Sequence, residues 1–340
     1  MQHVSGPFGD GLAWRGTRRT VLGAAVACGL AGGARAARNW RFATAYADGI
    51  YHTQNLRAFA ERWAGHTGGA IGVEVHANAS LAKMPDILPA LQTGSIELGE
   101  VYMSAYAKQF PVLNFDALPF IVRNYDDARL MWKVSRKEVE DALAAQGIQL
   151  LYAVPWPPQA LLSARRLTRL ADLGGLSFRV NNEATQRIAE LAKGRPVNIS
   201  AADLEAAIRD KRAEVMLTSS VTAVDCKAWS GMKLFYDVNA WTPKNMVCAS
   251  RKAYDSLTPA QQQALLADAA EAEQRGWALA QQADDAARRE LAAHQVALEL
   301  PEFELRRDLA KLGEKMSQEW AHTAGLRTSL VLVDYFRLRG

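Results

Sequence analysis

From residue 258 to about residue 299 the chain reads as one uninterrupted helix. Thr258 is a good N-cap, Pro259 suits the first helical position, and Gln261 completes a capping box. Ala-, Gln- and Glu-rich sequence continues until Pro301 stops it. About 40 residues at 1.5 Å each span roughly 60 Å. That exceeds the diameter of one small domain, so the helix predicts two bodies side by side, crossed by a single rod. Gly276 is the expected site of any bend. A length of 340 residues agrees with two domains.

The rest of the chain supplies the two bodies. Residues 40–45, 71–76 and 96–101 read as strands, separated by an amphipathic helix over 53–64 and a short helix over 85–92. Gly68-Gly69 and Thr93-Gly94-Ser95 mark the helix-to-strand turns. The same βαβαβ pattern returns with strands at 176–180, 197–199 and 214–218 and helices at 183–193 and 202–209. Each unit implies a parallel sheet covered by helices. Between them lie a strand over 149–154 and the corner Val154-Pro155-Trp156-Pro157-Pro158, where three prolines exclude both a helix and a central strand. That corner reads as a crossover between bodies, and 247–250 as a return strand.

Residues 1–36 read as an export leader. Arg18-Arg19 lies in a charged segment, 21–33 is a short apolar run, and Ala34-Arg35-Ala36 offers a cleavage site before Ala37. Adjacent arginines fit a twin-arginine signal, and an ordinary Sec leader is the alternative. Either route implies the bacterial periplasm. The formal charge of +4 is mostly leader: without it, 36 basic and 35 acidic residues remain, which excludes an electrostatic footprint for nucleic acid. In an oxidising compartment Cys226 and Cys248 are either disulfide partners or two buried free thiols.

Catalytic signatures are missing. The sequence holds no Walker A pattern and no GxGxxG, its six histidines form no HExxH, and no GxSxG offers a nucleophile. The carboxylates fall mainly on helix faces. The expectation is therefore binding without catalysis, with no cofactor and no metal.

Several stretches resemble the solute-binding proteins of tripartite ATP-independent periplasmic (TRAP) transporters. They are His52 with its following helix, Thr67-Gly68-Gly69, the segment from Ala90 to Gly99, Leu118-Pro119-Phe120, and above all the run from Leu170 through Leu176-Ser177-Phe178-Arg179-Val180. The resemblance covers nearly the whole chain after the leader. It implies an α/β fold of two periplasmic-binding-protein-like lobes with mixed, mainly parallel sheets, closing on a ligand. Lobe I would comprise 37–156 and 245–284, and lobe II 157–244 and 285–340. It also implies that Arg179 binds the ligand carboxylate, a role suited to a planar fork that stays charged. A surface arginine at a strand end is the alternative.

Dicarboxylate and sialic-acid binders resembling this chain carry a further polar or cationic group about twenty residues earlier. Here Gln159 occupies that place, with Arg165 and Arg166 expected to face solvent. Trp156, Tyr102 and Trp241 are candidate cleft aromatics, each equally suited to a core. Ser219 and Ser220 are candidate hydroxyl donors, and Asn78 and Ser80 weaker ones. The resemblance implies a periplasmic receptor, itself a soluble monomer, that captures a small organic acid and delivers it to a TRAP membrane permease. A monocarboxylate is expected, such as a 2-oxo or 2-hydroxy acid with an apolar or aromatic body. A sensory subunit serving a membrane kinase, or an enzyme on the same two-lobed fold, are the rival readings.

Overall fold

Two separate β-sheets, each packed between helices, organise the chain. The computed structural model describes residues 38–200 and 203–340. The expected leader, its cleavage site before Ala37, and Ala202 at the start of an expected helix lie outside the described residues.

The first body begins β1 (Arg38–Ala43), α1 (Tyr51–His66), β2 (Ile71–His76), α2 (Met84–Thr93) and β3 (Leu98–Tyr102). It continues with α3 (Tyr125–Ala144) and β4 (Ile148–Pro155). The chain then enters the second body through β5 (Ala160–Ser163), β6 (Ser177–Val180), α4 (Glu183–Leu191) and β7 (Arg195–Asn198). There follow α5 (Leu204–Arg209), β8 (Val215–Thr218), α6 (Ser220–Asp225) and β9 (Leu234–Tyr236). Strand β10 (Lys244–Ser250) returns to the first sheet and leads into α7 (Arg251–Asp255) and the rod α8 (Pro259–Ala293). Strand β11 (Ala297–Glu299), α9 (Phe303–Ala324) and α10 (Leu326–Arg339) complete the chain.

Strand order is β2-β1-β3-β10-β4 in the first sheet and β11-β9-β5-β8-β6-β7 in the second. The βαβ units pair in parallel, as their crossovers require, with β1 between β2 and β3, and β6 between β7 and β8. The strands that cross between bodies, β5 and β10, are antiparallel to their neighbours.

Side-chain periodicity sets the layers. In α1, Leu56, Phe59, Ala60 and Trp63 recur at helical spacing and bury against Phe42 and Tyr152 of the sheet and Leu265 and Ala269 of α8. The opposite sheet face, with Val101, Leu150 and Met246, packs on α2 and α3. In the second body Phe178, Val180 and Leu217 meet α4 and α9, while Leu162, Met216 and Phe235 meet α5, α6 and Leu291 of α8. Each such aromatic or branched side chain contributes roughly 1.5–3 kcal/mol by leaving water.

Helix α8 has 35 residues and a length of about 50 Å. Its first half is fastened to the first body: Asp268 pairs with Arg62 at 2.7 Å, Glu273 accepts from the Ala153 amide at 2.9 Å, and Trp277 donates to the Ala153 carbonyl at 3.1 Å. Its second half is fastened to the second body, where Arg288 forks onto Asp237 with both contacts at 3.1 Å.

The helix ends earlier than its composition predicts. It stops at Ala293, Gln295 adopts φ +62, and Ala297–Glu299 extend to pair with β9. Ala, Leu and Glu are good helix formers, so here a sheet partner overrides local propensity. The boundary expected at the C-terminus also changes. Helix α10 packs on the first body, burying Val331 and Tyr335 there, with Tyr335 Oη donating to the Ile121 carbonyl at 3.1 Å. Residues 326–339 therefore return to lobe I instead of staying in lobe II. Cys226 and Cys248 are both free and buried, one behind α6 and the other in β10, so the disulfide alternative is not realised.

Gly276 serves close approach. A Cβ there would lie 2.4 Å from a methyl of Val154 on β4 and 3.0 Å from the Asn55 amide. Gly276→Val should push the rod off the sheet and destabilise the protein by about 1–3 kcal/mol, measured by chemical denaturation.

Candidate ligand-binding site

A cavity of about 400 Å³ opens between the two sheets. Its walls come from the carboxyl ends of strands in both bodies, the position at which open α/β sheets receive ligands. The first body contributes Tyr46 beyond β1, Tyr102 at the end of β3 with Ser104 and Ala105 after it, and Trp156 just past β4. The second contributes Arg179 on β6, Asn181 and Asn182 in the turn to α4, and Thr218 and Ser219 in the turn to α6. Gln159 and Pro243 lie on the two segments that cross between bodies.

Those crossings run side by side. The Trp156 amide donates to Pro243 at 2.7 Å, the Gln159 amide to Trp241 at 2.8 Å, and the Ala240 amide to Gln159 at 2.8 Å. Pro155 closes β4, and prolines at 157, 158 and 243 fix φ and keep both segments out of the sheets. Cavity residues on them are thus held by backbone bonds.

Arg179 is the one charged side chain among the described lining residues. It is 4% exposed, in register with Val197 of β7 and Met216 of β8. Its Nε donates to the Ile199 carbonyl at 3.1 Å, and no carboxylate pairs with it among the described residues. Burial pulls its pKa below the usual guanidinium value, opposed only by the nearby Cys226 thiol. Burial pushes that thiol up to about 12, so it stays neutral and cannot balance the charge. Arg179 thus lines the cavity as a buried cation that no carboxylate among the described residues pairs with.

The neutral polar groups around it are partly committed. Asn182 Oδ1 caps α4 by accepting from the Thr185 amide at 2.8 Å, which leaves its amide nitrogen for the cavity. Gln159 Nε2 donates to the Pro157 carbonyl at 3.1 Å, which leaves Oε1 as an acceptor. Ser219 caps α6, accepting from the Thr222 amide at 3.2 Å and donating to the Thr222 hydroxyl at 3.0 Å. Tyr46 and Trp156 form an aromatic wall opposite, with ring centroids 5.2 Å apart. At the surface beside the cavity, Lys108 and Glu183 bridge the bodies at 2.7 Å.

Of the nine candidates read from sequence, Arg179, Gln159, Trp156, Tyr102 and Ser219 meet at this cavity. The other four do not. Trp241 is 2% exposed and packs in the core of the second body with Phe178 and Leu309. Ser220 turns away to donate to Asp284 on α8 at 2.5 Å. Asn78 and Ser80 are exposed on the loop after β2, where the Asn78 amide supports the Tyr46 carbonyl at 2.8 Å. Arg165 and Arg166 face outward as expected: Arg166 pairs with Glu299 at 2.8 Å and Glu302 at 3.1 Å. Asn181, Asn182 and Tyr46 were missed, although the first two directly follow the Arg179 strand, where a strand-to-helix turn at the cleft could have signalled them.

A larger cavity of about 500 Å³ lies elsewhere, among the 120–123 segment, the β9–β10 connection, α9 and α10. Its Asp237 is occupied by Arg288 and its Arg123 by Asp127 at 2.7 Å. The smaller cavity, with its buried and unneutralised arginine, is the better ligand site.

Two lobes are joined by paired crossings and a shared rod, with a buried arginine lining the cavity between them. The model of bacterial extracellular solute-binding protein family 7 (DctP) matches residues 42–324, and the chain belongs to that family. DctP6 of Bordetella pertussis, an extracytoplasmic solute receptor binding pyroglutamic acid, is 35% identical with a TM-score of 0.81 over 88% of this chain and 99% of its own. DctP7 of the same organism, which also binds pyroglutamic acid, is 32% identical with a TM-score of 0.81 and the same coverage. A TRAP solute-binding protein from a marine metagenome, specific for pyroglutamate, is 30% identical with a TM-score of 0.80, again over 88% and 99%. A curated solute-binding protein of Chromohalobacter salexigens is 26% identical over 148 residues, which span 43% of this chain and 44% of that relative. The chain is a periplasmic solute receptor of the TRAP class.

If Arg179 holds the solute's carboxylate, Arg179→Ala should cost about 2–5 kcal/mol, or roughly 30- to several-thousand-fold in affinity. Arg179→Lys should also bind markedly more weakly, because an ammonium cannot reproduce the fork. Calorimetry on the folded variants checks both.

Proposed function

We propose that this receptor captures a compact monocarboxylate of the pyroglutamate type and delivers it to a TRAP membrane permease, with no chemical turnover of the ligand. The observation that carries this reading is the buried Arg179 without a counter-ion in a cavity whose other described lining residues are neutral. One carboxylate satisfies it. A second would face Gln159, Asn181, Asn182 and the aromatic wall, and burying it unpaired would cost several kcal/mol.

The neutral groups refine the class. Arg179 and the amide nitrogens of Asn181 and Asn182 are donors, while Gln159 Oε1 is an acceptor. A lactam acid supplies the complement: a carboxylate and a ring carbonyl for the donors, a ring N–H for the acceptor. Three receptors of 30–35% identity that bind pyroglutamate support the same choice. Trp241 in the core removes one of three expected aromatic walls, which favours a small ring over a phenyl-bearing acid.

Binding would proceed by closure. A solute touching both lobes stabilises only the closed arrangement, so affinity and compaction are linked. Calorimetry and thermal shift with pyroglutamate, phenylpyruvate, branched 2-oxo acids and succinate test the ligand class. Pyroglutamate should give the strongest binding and largest melting shift, with succinate at least tenfold weaker. Tight succinate binding without a response to any monocarboxylate would refute it. Incubation with the bound acid should return it unchanged.

For export, we propose cleavage before Ala37 and passage by the twin-arginine route. N-terminal sequencing of periplasmic protein should begin at Ala37, and replacing Arg18 and Arg19 together by Lys should abolish export. Continued export of that double variant would assign the Sec route instead.

A further inference from the structure

Behind the aromatic wall lies a buried polar chain, most of it out of the ligand's reach. Glu100 on β3 is 1% exposed and Asn245 on β10 fully buried. Asn245 Nδ2 donates to Glu100 Oε1 at 2.9 Å, and Thr44 donates to Glu100 Oε2 at 2.5 Å. On its other end, Asn245 Oδ1 accepts from Trp156 Nε1 at 3.0 Å and from the Tyr46 hydroxyl at 3.3 Å. His52 packs on the same group, its ring 4.3 Å from Trp156 and its Nδ1 3.3 Å from Glu100.

The chemistry of these groups fixes the amide's direction. An indole N–H only donates, so the atom facing it must be the Asn245 oxygen, and the amide nitrogen is thereby turned to Glu100 Oε1, to which it donates. Glu100 therefore holds Asn245 in one orientation, and Asn245 in turn takes up the polar hydrogens of Trp156 and Tyr46. Neither Asn245 nor Glu100 is among the residues lining the cavity.

We propose that Asn245, oriented by Glu100, is a positioning residue that sets the receptor's selectivity by locking Trp156 and Tyr46 as a non-donating wall. This inference rests on the proposed binding of a ring-bearing monocarboxylate and deepens it. With the indole N–H and the Tyr46 hydroxyl already engaged, these two side chains offer the ligand ring faces. Its polar atoms are then read from the other side, by Arg179, Asn181, Asn182 and Gln159. A flat ring fits such a divided cavity, whereas a ligand with polar groups on both faces would lack hydrogen-bond partners along this wall.

The test combines one spectroscopic and one binding measurement. In the intact protein the Trp156 indole N–H resonance, assigned by its loss in Trp156→Phe, should exchange slowly with solvent. Asn245→Leu should shift that resonance and speed its exchange at least tenfold. The same variant should lose about tenfold in affinity for pyroglutamate yet stay within about twofold for acetate, which reaches Arg179 but has no ring. Arg179→Ala should lose both acids. Rapid exchange in the unsubstituted protein overturns the lock without any variant. Equal losses of pyroglutamate and acetate in Asn245→Leu overturn the selectivity role. Should the unsubstituted protein bind neither acid, the proposed function fails and selectivity by this wall fails with it, while the exchange rate still decides whether Asn245 locks Trp156.

Discussion

A guanidinium withdrawn from water with no counter-ion is costly, by several kcal/mol even after relaxation, and Arg179 is held in that condition. The surrounding structure makes this tenable. Strands β7 and β8 flank β6 and fix the register of Arg179, and the Ile199 carbonyl takes one of its donors. Arg179 also lines the cavity between the lobes, where an entering carboxylate would relieve that deficit. A site built in this way would have much of its binding free energy prepared before a solute arrives.

The same economy governs the connections between lobes. Two proline-bearing crossings bond to each other through their backbones, and α8 is fastened at one end by Asp268 and Glu273 and at the other by Arg288. Relative movement must then concentrate in few residues. The cavity lies against those crossings, with Gln159 and Pro243 on them and Trp156 anchored to one by its amide. A solute that contacted Gln159 would touch one of the crossings directly.

Much of this was legible in the sequence, for identifiable reasons. The rod declared itself through an N-cap, a proline at the first position and unbroken helix formers, and both βαβαβ units through the succession of strand-like and helix-like segments. What failed depended on distant partners. Residues 297–299 carry helix-forming side chains and become a strand because β9 lies alongside. Helix α10 shows apolar residues on more than one face, so its return to the first body could not be read from its pattern. Trp156 and Trp241 are the same residue type on two adjacent crossings, yet one lines the cavity and the other fills a core. That choice is made by side-chain direction at the crossover, which composition does not encode. The placement of Arg179 at the cavity was readable because charge, strand end and family resemblance agreed.

The two thiols of the described chain sit in different layers, Cys248 inside the first sheet and Cys226 behind α6 in the second lobe, each held neutral by burial. Neither contributes a cross-link, so the fold needs no oxidant to reach completion. A reducing cytosol and an oxidising periplasm present this polypeptide with the same folding problem. Folding of the described residues is therefore uncoupled from thiol–disulfide catalysis.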